Sequence, residues 1–257
     1  MATKSQLLRD FTQLSENAYN NVYTAFARSA YLERVRLVPA VSKAFVAEQA
    51  HGRKASVEVK GALRIDNLPY RRKEAAGTRS PSRFDDGIHV VLDSLDIYKF
   101  ELDRPSLQNS FLYRSTVRVA YFKRSKTKWK PHLCIRYDFA RSNGAHPIFH
   151  AQMENGVPDP AVWAQFADMP EVVDPLDLHT TVRLPTANVV GATALLSLAA
   201  DHLPLAKFPE VLHAVRQQPL FNADPWRCDC RSLDHGEPPE TMLASRWYSM
   251  NTRDDMD

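Results

Sequence analysis

Apolar and polar side chains alternate with a period of two along residues 111–139. The odd positions Phe111, Tyr113, Ser115, Val117, Val119 and Tyr121 form one run, and Trp129, Pro131, Leu133, Ile135, Tyr137 and Phe139 form a second. Between them lies KRSKTK, too charged for a core. Two such runs joined by a short charged loop predict an antiparallel hairpin with one buried face. The same period appears in Ile88, Val90 and Leu92, and Asp93-Ser94 is expected to turn the chain into a further strand through Ile97, Tyr98 and Phe100. The segment GRKASVEVKGALRIDN reads as a short hairpin of its own. His146 to Met153 and His179 to Leu184 read as short strands, the last ended by Pro185.

Elsewhere the period is helical. Leu7, Leu8, Phe11 and Leu14 begin a stripe that Ser15, Tyr19, Val22, Tyr23 and Phe26 continue. Residues 5–49 are expected to be helical, with Pro39 at the start of a second helix and Val41, Phe45 and Val46 inside. Residues 154–178 hold Pro158, Pro160, Pro170 and Pro175 and predict a long loop with a helical turn around Trp163 and Phe166. Thr186 can cap a helix running through Leu195, Leu198 and His202, and Phe208 to Val215 makes a last one. The expectation is an α+β fold. An antiparallel, curved sheet of five to six strands surrounds a long hairpin, with N-terminal and C-terminal helices on one face. One domain spans 1–220: a helical part at 5–49, sheet at 55–153 and closing helices at 186–216. Residues 221–257 form a partly docked tail.

Composition narrows the class. Apolar residues make up 44% and charged residues 25%, values of a globular chain with a core. No run reaches the ~18 apolar residues that a membrane span needs. The first residues lack the apolar stretch of a secretory signal. Three cysteines, Cys134, Cys228 and Cys230, make no even framework. A cytoplasmic protein is expected, with no membrane partner. The net charge of +3 conceals an imbalance: residues 1–150 carry 26 Lys/Arg against 14 Asp/Glu, and residues 151–257 carry 7 against 16. The basic part suits an anionic partner, or the two parts neutralise each other internally.

The hairpin's even positions gather the candidate chemistry. Arg114, Thr116 and Arg118 lie on one strand, and His132, Cys134, Arg136 and Asp138 on the other. His146, His150 and Gln152 share one face of the next strand. Cations, a carboxylate and imidazoles suit phosphate binding or acid–base chemistry, although an outer strand face is often polar only for solvation. Two imidazoles with an arginine suffice for metal-free RNA cleavage, and two imidazoles with a carboxylate suffice for a metal; strand histidines are also commonly structural. Cys228, Cys230 and His235 have the wrong spacing for a zinc knuckle. Asp93, Asp96 and Asp103 sit near expected strand ends, where nuclease carboxylates occur and turn aspartates do too. Arg71, Arg72, Lys73, Arg79 and Arg83 make residues 70–83 a basic loop able to dock an acidic protein. Basic residues beside aromatics, such as Tyr121-Phe122-Lys123-Arg124, suit nucleic-acid contact. No phosphate loop, dinucleotide fingerprint, nucleophile elbow or zinc-protease motif is present, so no cofactor or metal is expected.

The run Cys134-Ile-Arg-Tyr-Asp-Phe139, then His146-Pro147 with His150, then Arg183-Leu-Pro185 before an apolar helix, resembles a bacterial family of unknown function. The resemblance covers residues 130–205. It implies a mobile-element, toxin–antitoxin or phage-defence setting, and points to Asp138, His146, His150 and Arg183. The reading is a defence or conflict protein that binds or acts on nucleic acid or nucleotide through the polar sheet face. Arg114, Arg118, Arg136 and Arg183 would hold phosphate. Whether it is an enzyme stays open; as one, it would be a phosphodiester hydrolase or transferase with His146, His150 and Asp138 as its acid–base groups. The alternative is a non-catalytic, partner-binding subunit with structural histidines.

Overall fold

The computed structural model describes residues 4–29, 35–49, 52–67, 69–70, 83–84, 88–101, 111–140, 149–156, 159–166, 168–176, 183–185, 190–203 and 206–222. Helix α1 runs over Lys4–Ser29. Most of its predicted stripe is its buried face: Phe11, Ser15, Tyr19, Val22, Tyr23 and Phe26 are all inside, while Leu7, Leu8 and Leu14 are half-buried. Strand β1 follows at Val35–Gln49, where a second helix was expected. Val35, Val38, Val41 and Val46 are stiff, β-branched residues that a pleated surface suits. Tertiary pairing decides the matter, because β1 runs antiparallel to β2 (Gly52–Ile65), with Val35 opposite Ile65 and Leu37 opposite Leu63. Pro39 falls at a register shift between Val38 and Val41 on an edge strand, where its missing N–H does no harm.

GRKASVEVKGALRIDN is one strand rather than a hairpin. Asp93-Ser94 is no turn either, for β5 runs unbroken over Ile88–Glu101. Both side chains find partners within the fold: Tyr23 Oη meets Ser94 Oγ at 2.9 Å, and Arg118 lies 3.6 Å from Asp93. Between β2 and β5 stand the two-residue strands β3 (Pro69–Tyr70) and β4 (Arg83–Phe84), paired with each other. The predicted hairpin is β6 (Phe111–Ser125) and β7 (Lys128–Ala140). Strands β8 (Phe149–Met153) and β9 (Arg183–Pro185) complete a seven-stranded sheet in the order β1-β2-β5-β6-β7-β8-β9. All its pairings are antiparallel, so the fold is α+β.

Helix α2 is the expected turn at Pro160–Trp163. Helices α3 (Gly191–His202), α4 (Phe208–Arg216) and α5 (Pro219–Asn222) join α1 on one side of the sheet. Between helices and sheet lies the main core, with Val57, Val59, Leu63, Ile65, Leu92, Val117, Val119 and Phe139 from the strands and Leu195, Leu198 and Val211 from the helices. A smaller cluster on the opposite side joins Ala62, Val91, Ala120, Phe122, Trp129 and Cys134 to Phe166, Trp163 and Met169 of the loop around α2. No described helix is long and apolar enough to cross a membrane.

The hairpin's alternation holds over most of its length but breaks twice. Tyr121 pairs with Leu133 and Phe122 with Pro131, so His132 is an extra residue, exposed at a bulge. The inserted residue reverses the parity beyond it. Trp129, expected in the main core, therefore stacks on Phe122 in the smaller cluster, with ring centroids 5.3 Å apart. A second shift pairs Tyr98 with Leu112, which brings Leu112 rather than Tyr113 into the main core.

Candidate functional site

The sheet face turned away from α1, α3, α4 and α5 carries the predicted polar residues. Register places Asp93, Arg118, Arg136, Gln152 and Arg183 in one row across five strands, because each faces the next in the ladder. Thr116, Asp138 and His150 form the adjoining row. Paired residues in a ladder share a face, so Arg118, Arg136, Asp138 and His150 lie on one face of the sheet, while His146, the fifth residue expected at the site, lies outside the described residues. Arg183 reaches the row through its backbone register. Arg114 stands one row further on and is exposed. His146, Asp103, Thr186, Cys228, Cys230, His235 and residues 71–82 of the basic loop lie outside the described residues.

Side-chain contacts tie the two rows together. Arg118 Nε donates to Glu154 Oε2 at 2.7 Å. Arg136 Nε donates to Asp138 Oδ2 at 2.7 Å, and its Nη1 donates to Glu154 Oε1. Thr116 Oγ1 donates to the other Asp138 oxygen at 3.1 Å. His150 Nε2 lies 3.6 Å from Asp138 Oδ2. Two guanidinium forks are thus each paired with carboxylates, three in all, with an imidazole near one of them. Arg136 is 29% exposed at the side chain and remains within reach of solvent, whereas His150 is only 3% exposed.

The electrostatics follow from burial. Burial pushes the Asp93 carboxyl up to about 6, and Arg118 only partly offsets it. For Arg118, burial alone would favour the neutral form, but Asp93 and Glu154 hold its guanidinium charged. Burial also raises the Cys134 thiol to about 12, so this even-face cysteine is a packing residue and no nucleophile. Among the described residues no group of His, Cys, Asp and Glu gathers as a metal site would.

Glu154 links both arginines yet was not among the predicted residues. The signal was there: His150, Gln152 and Glu154 are two apart and share a strand face, but Glu154 stands one past β8 and reads as loop. Asp96, expected near a strand end, points into the main core. It accepts from Ser115 Oγ at 2.5 Å, Tyr19 Oη at 2.6 Å and the Gly191 N–H at 3.1 Å. A second polar group missed in the sequence lies at the sheet end. His89 Nδ1 is 3.0 Å from Asp66 Oδ1, which also accepts from Arg64 Nε at 2.7 Å, and Trp129 stacks on the imidazole at 4.4 Å.

The face can therefore present fixed guanidinium forks to an oxyanion, with Asp138 to orient an imidazole beside them. The chain was compared with family models, curated proteins and solved structures, and none of the three comparisons finds a match.

Proposed function

We propose that the chain binds a phosphate-bearing ligand, nucleic acid or nucleotide, on the polar face of its sheet, in the defence or conflict setting that the family resemblance implies. The observation that carries this reading is the shared row of Arg118, Arg136, Gln152 and Arg183 with Asp138 and His150 beside it. An arriving phosphate would take the place of Glu154 on the two forks, exchanging one oxyanion for another without rebuilding the site. If the ligand is also cleaved, His150 is the described group suited to move a proton, with Asp138 as its orienting partner.

The test compares Arg136→Gln and Glu154→Gln with the parent in fluorescence-anisotropy titrations against a labelled nucleotide and a labelled oligonucleotide. Losing one charge-assisted contact of about 1.5–3 kcal/mol weakens binding by roughly ten- to a hundred-fold, the outcome expected for Arg136→Gln. Glu154→Gln removes the competing carboxylate and should tighten binding. If both variants bind like the parent, the face holds no phosphate.

A partner-binding subunit is the second reading. It is favoured by the pairing of both arginines with carboxylates and by the burial of His150. On that reading His150→Ala lowers the melting temperature and leaves nucleotide and oligonucleotide titrations flat.

A further inference from the structure

The tip of the β6–β7 hairpin is a separate surface. Its turn is Lys126-Thr127, and Lys123, Arg124, Lys126, Lys128 and Lys130 are all exposed. Glu171 and Asp174 reach Lys128 and Lys130, at 2.9 Å and 3.4 Å. Among the described residues no carboxylate lies within salt-bridge distance of Lys123, Arg124 or Lys126. Register puts Lys123 directly opposite Lys130. Like charges opposed in an antiparallel pair destabilise it, so packing gives no reason for this pair.

The tip is also firmly mounted. Trp129 beneath it donates its N–H to the Glu171 carbonyl and accepts from the Val173 N–H, both at 2.9 Å. Arg124 Nε donates to the Lys126 carbonyl at 3.1 Å across the turn. Pleating sends Lys123, Lys128 and Lys130 to one side of the ribbon and Arg124 to the other. The only aromatics of the tip, Phe122 and Trp129, are buried, and residues 122–130 contain no Asn or Gln. Such a tip offers charge on both sides of a ribbon but no stacking platform, and Arg124, the side chain whose fork best matches a guanine edge, is turned back onto the Lys126 carbonyl.

We propose that this tip is a second nucleic-acid contact, which takes the phosphate backbone of a double helix without reading its sequence. Lys123 still pairs with Ile88 of β5 and Trp129 bridges Val172, so residues 124–128 are the part that stands clear as a two-stranded ribbon. Such a tip fits a major groove about 12 Å wide, with a phosphate row on either side. The inference rests on the phosphate-ligand reading for its class of ligand and narrows that class from nucleotide to duplex polymer. The two contacts are separable, since Lys123 lies five residues from Arg118, about 17 Å along the strand.

The experiment uses the full chain and a triple variant, Lys123→Gln, Arg124→Gln and Lys126→Asn. Asparagine suits the left-handed backbone of residue 126, where φ is 56°. Anisotropy is measured against two duplexes of unrelated sequence, a single strand of equal length, a mononucleotide and polyglutamate, over a range of salt. The parent should bind both duplexes alike and more tightly than the single strand. In the variant duplex affinity should fall at least ten-fold at low salt, and the slope of log K on log salt should flatten by about 2–3, near 0.9 per lost contact. Mononucleotide binding should not change. Unchanged duplex binding in the variant, a preference for the single strand, or equal capture of polyglutamate would each overturn the tip assignment. Loss of mononucleotide binding in Arg136→Gln alongside any of those results would leave the polar-face reading standing. Tip-dependent duplex binding with no mononucleotide bound at all would leave only the tip.

Discussion

Individual residues show how tightly the helices are fitted to the sheet. Gly61 lies on the core side of β2, directly under Tyr23 of α1. A Cβ there would stand 2.7 Å from Tyr23 Cε2, inside any normal contact. Gly61→Ala should therefore cost about 1–3 kcal/mol as an overpacked core does, read as a lower denaturant midpoint with an unchanged slope. A midpoint equal to the parent's would mean that α1 can lift off at no cost. Much at this scale was legible beforehand. The stripe from Phe11 to Phe26 and the even-face positions Arg118, Arg136 and Asp138 follow from period alone. Glu154 and Asp66 did not, because each stands one residue past a strand end, beyond β8 and β2, where an acidic residue reads as loop.

Among the elements, β1 is the informative case. As an edge strand it leaves a row of backbone groups without a neighbouring strand. Helix α1 covers part of that row: Asn20 accepts from the Ala40 N–H at 2.7 Å and donates to its carbonyl at 3.2 Å, while Glu16 accepts from the Ser42 N–H at 2.7 Å. Two of these bonds vanish in Asn20→Ala. The expected loss is about 1–3 kcal/mol for each group left unsatisfied, seen as a lower melting temperature, with more oligomer in light scattering as the edge is bared. The helical expectation for Val35–Gln49 failed here for a related reason: its apolar positions fit either period, and only pairing with β2 selects the strand. Likewise Asp93-Ser94 resembles a turn by composition, and becomes mid-strand because Arg118 and Tyr23 satisfy the two side chains. At the opposite edge, β8 and β9 are described at Phe149–Met153 and Arg183–Pro185, where strands were expected over 146–153 and 179–184; residues 146–148 and 179–182 lie outside the described residues.

At the level of the whole molecule, Asp96 joins the parts. It sits between α1, through Tyr19, the start of α3, through Gly191, and the centre of the sheet, through Ser115. Burial pushes its carboxyl up to about 6, with Ser115, Tyr19 and the Gly191 N–H opposing the rise. The unfolded chain releases that proton near 3.8, so between these values the folded state holds more protons. Stability should accordingly fall as pH rises from about 4 to 6, the reverse of an ion-paired carboxylate. Asp93, also raised to about 6, adds to the same trend. Melting temperatures across pH 4–7 should show this decline, and Asp96→Asn should flatten it in part, leaving what Asp93 contributes. His202, lowered by burial, opposes the trend near its upper end, so the difference between parent and Asp96→Asn carries the test: a difference that stays constant across the window would mean that Asp96 is ionised at no cost. Nothing in the sequence marked Asp96 as internal, since an aspartate between strand-like runs ordinarily signals a turn.

The bulge at His132 also bears on how such a hairpin changes length over generations. One unpaired residue sets which side of the sheet receives Trp129, and with it the anchor of the loop around α2. Losing that residue, or gaining another beside it, would carry the indole through to the helical side and strip the loop of its footing. Insertions and deletions between Trp129 and Leu133 are thus constrained to even numbers, whereas changes on the tip side of Trp129 leave the indole where it is.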